Sequence, residues 1–230
     1  MTPTRYAIYF IPDQAEPWAA FCTAWLGWDI AAGKAVEHPD IAGLDRPVSA
    51  ITAVPRRYGL HATLKPPFRL RAGKTAAALT RAVRDLARDI APVTLSGLDV
   101  TPLGRFLALT AQGETRTLNA AAARIVRELD AFRAPPSDQE LERRRSAHLS
   151  PAQEANLKQW GYPHVLDQFR FHMTLTSKLP KDDQARTLAT LQSHLAPLLP
   201  RPFVIRDIAL VGEDDEGFFH LIDRFALSGA

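Results

Sequence analysis

The sequence carries the same short pattern, His-x-Thr-Leu, in its first and last thirds. The first copy is His61-Ala62-Thr63-Leu64 and the second is His172-Met173-Thr174-Leu175. Apolar and polar residues alternate around both copies, which is typical of a β-strand that buries one face. On each predicted strand the histidine and the threonine therefore share the polar face. This repeated strand limits the possible folds more than any other feature of the chain.

The segments that follow the two copies also correspond. Each predicted strand, the first one terminated by Pro66-Pro67, is followed by a helix and then by two strands. The helices are predicted at about 74–90 and 181–199, and the later strands at 93–100, 105–111, 203–211 and 218–227. The same order in both halves indicates an internal duplication within one domain spanning 1–230. The first repeat covers about 58–112 and the second about 168–228.

The remaining segments precede and connect the repeats. A strand is predicted at 6–11, followed by a helix that begins at a capping box of Asp13 and Glu16. The segment 29–55 is predicted to be an irregular connection, and its length suggests the hypothesis of a mobile lid. The connection at about 114–162 is predicted to be helical, with further capping boxes that begin at Ser137 and Ser150.

Composition restricts the class of protein and of ligand. With 46% hydrophobic and 23% charged residues, the chain resembles an ordinary soluble globular protein. Its net charge of +3 suits an anionic ligand but is too small to indicate nucleic acid by itself. A single cysteine, Cys22, rules out an intramolecular disulfide and a cysteine-based metal cluster. No signal peptide or apolar run of ~20 residues is apparent, so we expect a cytoplasmic monomer with no membrane partner.

The paired motif suits phosphodiester cleavage, which needs one proton removed from the attacking water and another supplied to the leaving oxygen. Imidazole titrates near pH ~6.5, so His61 and His172 could act as base and acid at neutral pH. Thr63 and Thr174 share their strand faces and could donate hydrogen bonds to phosphoryl oxygens. A third match, His148-Leu149-Ser150, falls at a predicted helix boundary and is set aside.

Three neighbouring residues are secondary candidates for substrate binding. Strand alternation places Lys65 and Arg170 on the polar faces, where either cation could hold a phosphate. Alternatively, Lys65 could lie at the rim of the site and Arg170 could form a structural ion pair. Tyr58 could stack on a base or bond to a ligand, or it could pack in the core. Four other aromatic residues are interpreted as structural: Phe68, Trp160, His164 and His220.

The paired motifs resemble those of the two-histidine phosphoesterase superfamily, which includes RNA 2′,3′-cyclic phosphodiesterases. The longer segments 57–68 and 169–176 resemble the branch associated with bacterial phosphonate-utilisation operons. The resemblance implies an α+β, bilobal fold, in which two pseudo-symmetric lobes with antiparallel sheets and flanking helices contribute one motif each to a central cleft. It also implies that His61 and His172 are the acid–base pair, that Thr63 and Thr174 bind phosphate, and that neither metal nor cofactor takes part.

Three hypotheses about function follow. The first is a metal-independent hydrolase of a small cyclic phosphodiester, either a cyclic ribose phosphate or a nucleotide 2′,3′-cyclic phosphate. Its link to phosphonate metabolism rests on the resemblance alone. The second is a cyclic phosphodiesterase that acts on RNA ends, which would need a basic groove and aromatic residues for base stacking. The third is a protein that binds phosphorylated ligands without turnover, because binding and catalysis use the same donors.

Overall fold

The computed structural model describes residues 2–146 and 148–229, which form seven α-helices and eleven β-strands. The helices are α1 (Pro17–Leu26), α2 (Val48–Ile51), α3 (Ala76–Arg88), α4 (Arg116–Glu128), α5 (Asp138–Arg145), α6 (Pro151–Trp160) and α7 (Lys181–Leu195). The strands are β1 (Arg5–Phe10), β2 (Trp28–Asp29), β3 (Lys34–Ala35), β4 (Ala62–Phe68), β5 (Val93–Leu95), β6 (Gly97–Leu103), β7 (Phe106–Gln112), β8 (His172–Thr174), β9 (Phe203–Ile205), β10 (Asp207–Glu213) and β11 (Phe219–Ala226). Within the described ranges, every helix is too short or too polar to cross a membrane.

Seven of the strands form one antiparallel sheet in the order β11-β10-β1-β4-β8-β7-β6. Two short pairs, β2–β3 and β5–β9, lie outside it. The predicted α+β class with antiparallel strands is confirmed. The two halves of the sheet, β11-β10-β1-β4 and β8-β7-β6, are joined into one surface because β4 pairs with β8 at Ala62 and Met173.

The two halves of the chain interlock within this sheet. Strand β4 lies in the half that also contains β10 and β11 from the end of the chain. Strand β8 pairs with β7, which in turn pairs with β6, and both of these strands precede β8 by about sixty residues or more. The helices also pack on strands from the other repeat. Helix α3 of the first repeat packs on β10 and β11, and helix α7 of the second packs on β6 and β7. Each half of the sheet therefore needs segments from both predicted repeats.

The main hydrophobic core lies between the helices and one face of the sheet. Ile8, Ala62 and Met173 are buried on this face and belong to the same cluster as Val83 of α3 and Leu191 of α7. Successive strand residues point to opposite faces, so the neighbours of Ala62 and Met173 point away from the core. The motif histidines and threonines are therefore left on the face that the core does not occupy.

The helix boundaries confirm most of the predicted caps. Capping boxes begin α5 at Ser137 and α6 at Ser150, as the sequence predicts. The predicted box at Asp13 is wrong, because α1 begins four residues later at Pro17. Proline favours the first helical position, where its fixed φ fits and its missing N–H is not needed. Asp13 lies in the preceding turn and accepts a hydrogen bond from the backbone of Ala15 (3.0 Å).

The sequence predicts that the first motif strand ends at Pro66-Pro67. In the structure β4 includes both prolines and continues to Phe68. The pairing of β1 with β4 has two register irregularities, and the first of them spans the two prolines. Tyr9 pairs with Thr63, whereas the preceding residue of β1 pairs with Lys65, so β4 carries one extra residue at this step. Such a bulge interrupts the strict alternation of side chains on which the predicted position of Lys65 depends.

Lys65 accordingly packs against α4 and not beside the motif histidines. It is buried, and its ammonium group donates to the carbonyl of Val126 (3.0 Å) and lies 3.4 Å from a carboxylate oxygen of Asp130. Burial lowers the pKa of Lys65 to about 8, and the neighbouring Asp130 opposes that change. The prediction that Lys65 binds a substrate phosphate is therefore corrected: its side chain joins β4 to the end of α4.

Replacement of Lys65 by Met should reduce stability and not substrate binding. The variant removes one partner of Asp130, which retains its two hydrogen bonds from Arg133 (2.7 and 3.0 Å). We expect the free energy of unfolding in urea to fall by about 1–3 kcal/mol. Lys158→Met is the matched control, since its ammonium group is exposed and should change stability by less than about 0.5 kcal/mol. Equal stability of the two variants would contradict the structural role of Lys65.

Candidate active site

The pairing of β4 with β8 places the two motifs side by side. Their central residues, Ala62 and Met173, are partners in antiparallel register. One step along each strand in either direction, the histidine of one motif therefore lies opposite the threonine of the other. The opposed pairs are His61 with Thr174 and Thr63 with His172. Directly opposed residues have Cβ atoms about 4.5–5.5 Å apart, so the four side chains form one compact group.

A cavity of ≈ 570 Å³ opens beside this group. Thr63 and His172 form part of its lining, together with Phe106 of β7 and Arg170. The segment 162–170, which connects α6 to β8, forms most of the opposite wall. His61 adjoins the cavity through Thr63, whose hydroxyl oxygen lies 3.2 Å from Nε2 of His61. This volume is in the range of small-molecule sites.

The hydrogen bonds of His61 define its tautomer. Its Nδ1 lies 3.0 Å from the carbonyl oxygen of Gly59, which can only accept, so Nδ1 carries the hydrogen. In the neutral ring Nε2 then bears a lone pair and accepts the hydroxyl hydrogen of Thr63. Gly59 is suited to this position, since its φ of +64° disfavours other residues and a Cβ there would lie 2.8 Å from Ile30.

Burial keeps His61 neutral. Its ring stacks on Tyr9, with centroids 3.9 Å apart and an interplanar angle of 23°, and Tyr58 lies 6.0 Å away on another side. Loss of hydration lowers the pKa of His61 to about 4, the bond to Gly59 opposes that change, and the charge of His172 adds to it. His61 is thus a neutral imidazole at pH 7 with its Nε2 lone pair directed towards Thr63.

His172 has the same backbone arrangement in a more open setting. Its Nδ1 donates to the carbonyl oxygen of Arg170 at 2.8 Å, which leaves Nε2 for the cavity. The ring lies 6.0 Å from Phe106 and is not stacked on it. In both motifs the carbonyl two residues before the histidine therefore orients the ring, and Nε2 is the atom available for chemistry.

The other candidate residues have different positions. Arg170 is exposed and lines the cavity. Among residues 2–146 and 148–229 it takes part in none of the observed ion pairs, so the alternative of a structural pair is not supported. Tyr58 is half-buried beside His61 and packs 5.4 Å from Phe219. Thr174 lies opposite Ala108 of β7 and outside the cavity lining.

Two residues at the site, Tyr9 and Tyr162, were not predicted from the sequence, and a third, His164, was predicted to be only structural. Tyr9 supports His61 because β1 pairs with β4 at Thr63, and Tyr162 lines the cavity from the loop after α6. His164, interpreted from the sequence as structural, also lines the cavity. Strand alternation marks Tyr9 as facing Thr63 once the β1–β4 register is known. No local pattern indicates Tyr162 or His164.

Two further observations concern the surroundings. The segment 29–55 includes the β2–β3 hairpin and α2, and its residues are absent from the cavity lining. The lid hypothesis therefore has no support from this conformation. Within the described parts of the chain, no group of three or more His, Cys, Asp or Glu side chains is arranged to hold a metal ion.

Comparison with known proteins first identifies a family. A family model described as "Protein of unknown function (DUF1045)" matches residues 63–220. Two curated relatives carry the name ribose 1,5-bisphosphate phosphokinase PhnN. That of Janthinobacterium sp. (strain Marseille) is 41% identical over 220 residues, and that of Laribacter hongkongensis (strain HLHK9) is 35% identical over 218. The matches cover 93% of this chain but 48% and 49% of the relatives, so the chain spans about half their length.

Solved structures give more distant similarities. Escherichia coli LigT in complex with NADP+ is 14% identical, covers 99% of both chains and has a TM-score of 0.47. The protein TT0787 of Thermus thermophilus is 17% identical, covers 98% of both chains and has a TM-score of 0.42. Because these TM-scores are below 0.5, the description of the fold rests on the strand pairing described above and not on these similarities.

The protonation of His61 can be measured directly. NMR titration of the free protein should give a midpoint near pH 4 for His61, because the buried ring resists charging. Folding lowers this pKa from about 6.5, so protons bind the unfolded chain first and stability falls as the pH drops from about 6.5 towards 4.

Two variants complete this titration. His61→Gln assigns the signal, and Tyr9→Leu should raise the midpoint, because the stacked ring that excludes water is lost. A His61 midpoint at or above 6.5 in the unaltered protein would contradict the burial of this ring.

Proposed function

This chain belongs to the DUF1045 family, and we propose that it is a phosphoesterase that hydrolyses a small cyclic phosphodiester. The observation that carries the proposal is the β4–β8 register, which sets each motif histidine beside the threonine of the other motif. A phosphorus atom above this group could be reached from two sides. The resemblance of both motifs to those of two-histidine phosphoesterases supports the same reaction.

The two histidines would divide the proton transfers. Neutral His61 would accept a proton from the attacking water at Nε2, since its Nδ1 hydrogen is bonded to Gly59. The water oxygen forms a bond to phosphorus while the bond from phosphorus to one ring oxygen breaks. His172, in its protonated form, would donate its Nε2 hydrogen to that departing oxygen. The product is a single ring-opened molecule that carries a phosphomonoester and a free hydroxyl group, and proton exchange with water restores both rings.

The threonines would stabilise the phosphoryl oxygens. A hydrogen bond lowers the reaction barrier only if it is stronger in the transition state than in the ground state. A hydroxyl donor aimed at an oxygen that gains negative charge during the reaction meets this condition. Thr63 lines the cavity directly and now donates to Nε2 of His61, so a bound phosphate would redirect this hydroxyl. Thr174, opposite His61, would approach the same phosphorus from β8. In this scheme the chain's own side chains supply every proton transfer, and we propose that no metal is required.

The substrate we favour is a cyclic ribose phosphate. The curated relatives are named for a ribose bisphosphate, and the segments around both motifs resemble the phosphonate-operon branch. We therefore propose a role in the metabolism of phosphorylated ribose linked to phosphonate use. The chain matches only about half of those relatives, so their named kinase activity is not assigned to it.

A turnover assay tests the proposal. The protein is assayed in the presence of EDTA with three kinds of substrate: ribose cyclic phosphates, nucleoside 2′,3′-cyclic phosphates and short RNA ending in a 2′,3′-cyclic phosphate. We expect hydrolysis of the ribose compounds and a fall in kcat of about 10²–10⁴-fold in His61→Gln and in His172→Gln, because each removes one proton transfer. His194→Gln, on the exposed face of α7, is the matched control and should keep full activity.

The other outcomes would favour different functions. Faster hydrolysis of the RNA than of the ribose compounds would favour the hypothesis of a cyclic phosphodiesterase that acts on RNA ends. Binding of the cyclic phosphates without any product would contradict the catalytic proposal and favour the binding-protein hypothesis. Activity that disappears in EDTA and returns with a divalent cation would contradict the metal-independent mechanism.

A further inference from the structure

The segment 162–170 connects α6 to β8 and forms most of one wall of the cavity beside the motifs. It contains one short 3-10 turn, Leu166–Gln168. The segment runs directly into the second motif, where the carbonyl of Arg170 accepts the Nδ1 hydrogen of His172 at 2.8 Å. The conformation of the segment therefore determines where that carbonyl lies, and with it the orientation of the His172 ring.

Leu166 has an unusual backbone conformation within this segment. Its φ is +54°, in the left-handed region. A leucine is disfavoured there because its Cβ approaches the following carbonyl oxygen too closely. Strained residues of this kind persist only where the surrounding structure holds them, and they occur most often at functional sites. The turn at Leu166 therefore needs contacts that keep it in place.

The side chain of Asn156 holds both neighbours of Leu166. Its amide nitrogen donates to the carbonyl oxygen of Val165 (2.9 Å) and to a carboxylate oxygen of Asp167 (3.0 Å). Both of these oxygens are acceptors, so the two hydrogens of the amide are both used here. Asn156 is only 7% exposed, so little water competes for its donors. One buried amide thus fixes the chain immediately before and after the strained residue.

The amide of Asn156 is carried by a helix that has anchors outside the segment 162–170. Leu157, the next residue of α6, is fully buried. Near the end of the same helix, Arg133 donates to the carbonyl oxygen of Gln159 at 3.1 Å. Helix α6 is therefore a support from which Asn156 can hold the turn.

We propose that Asn156 is a positioning residue for His172. It acts through the strained turn at Leu166, which determines the position of the Arg170 carbonyl. This proposal rests on the proposed function, since it explains how one of the two proton-transfer groups is oriented. With the turn held, the carbonyl keeps a hydrogen on Nδ1 after Nε2 has given up its own, and Nε2 stays directed into the cavity. Without the bonds from Asn156, Leu166 relaxes out of the left-handed region and the chain that follows it changes direction.

Phe171 is the competing anchor for the same stretch of chain. Its side chain is buried in the main core, between Arg170 and His172 in the sequence. Burial of this ring does not by itself fix the peptide plane that precedes it, because that plane can rotate about the dihedral angles on either side. The plane carries the Arg170 carbonyl, so the core and the Asn156 amide constrain different parts of the backbone.

The imidazole nitrogens of His172 provide the most direct test. In ¹⁵N NMR at pH ~8, above the usual titration range of histidine, the unaltered protein should show one tautomer with its hydrogen on Nδ1. Asn156→Leu removes the donors at similar volume, and we expect the two nitrogen shifts of His172 to move towards a common value as the hydrogen is shared between them. The ring of His61 is held by Gly59 and should keep its signals.

The Asn156→Leu variant should fold, because both former partners of the amide keep a hydrogen bond from Gln168. The carbonyl of Val165 retains the backbone N–H (3.0 Å), and the carboxylate of Asp167 retains the side-chain amide (3.0 Å). Unchanged signals of His61 in the same spectra check that the rest of the site is intact.

Turnover of a cyclic phosphate gives a second measurement. Asn156→Leu should lower kcat about 10–100-fold and change KM less, because a misplaced proton-transfer group slows the reaction more than it weakens binding. Adding Leu166→Gly to this variant should restore most of kcat, since glycine adopts the left-handed region without strain. Gln159→Leu removes an exposed amide from the same helix, and as the matched control it should keep full kcat and unchanged His172 signals.

The outcomes separate this proposal from the proposed function. Unchanged His172 signals in Asn156→Leu would overturn the proposal and leave Phe171 as the anchor. Equal changes at His61 and His172 would also overturn it, because a general loss of structure would then be the cause. Failure of Leu166→Gly to restore kcat would contradict the action through the turn. Absence of turnover in the unaltered protein would contradict the proposed function alone, and the NMR comparison would still decide whether Asn156 orients His172.

Discussion

The pairing of β4 with β8 is the contact on which the rest of the site depends. It joins two half-sheets into one surface and is centred on Ala62 and Met173, whose small and flexible side chains are buried in the helix-covered core. Because the register is antiparallel, this pair sets each histidine opposite a threonine. A register shift of one residue would move the apolar side chains of a strand to the polar face and the histidine and threonine into the core. Burial of the apolar side chains therefore also keeps the motif residues in register.

The two histidines share a backbone arrangement but differ in surroundings. Each ring is held through Nδ1 by a carbonyl two residues earlier, so Nε2 is the atom that points away from this anchor; that of His61 is bonded to the hydroxyl of Thr63. His61 lies on Tyr9 with its pKa lowered to about 4 by burial, whereas His172 faces the open cavity. This difference in surroundings supports the proposed division of roles, in which His61 accepts a proton and His172 donates one.

The sequence predicts the features that follow from short-range periodicity. Alternation around both motifs correctly separates Ala62 and Met173 from their polar neighbours, and the capping boxes at Ser137 and Ser150 locate two helices. It misplaces Lys65, because a bulge breaks the alternation within β4. The cavity wall at 162–170 could not be predicted, since it depends on how a long connection packs against distant strands.

In the proposed mechanism, one phosphate contacts both histidines at once. Titration of the protein with inorganic phosphate, followed through the imidazole NMR signals of His61 and His172, tests it most directly. We expect both signals to shift together with a single dissociation constant, and Thr63→Val to weaken both shifts equally. Shifts of only one histidine, or of the two with different dissociation constants, would contradict it.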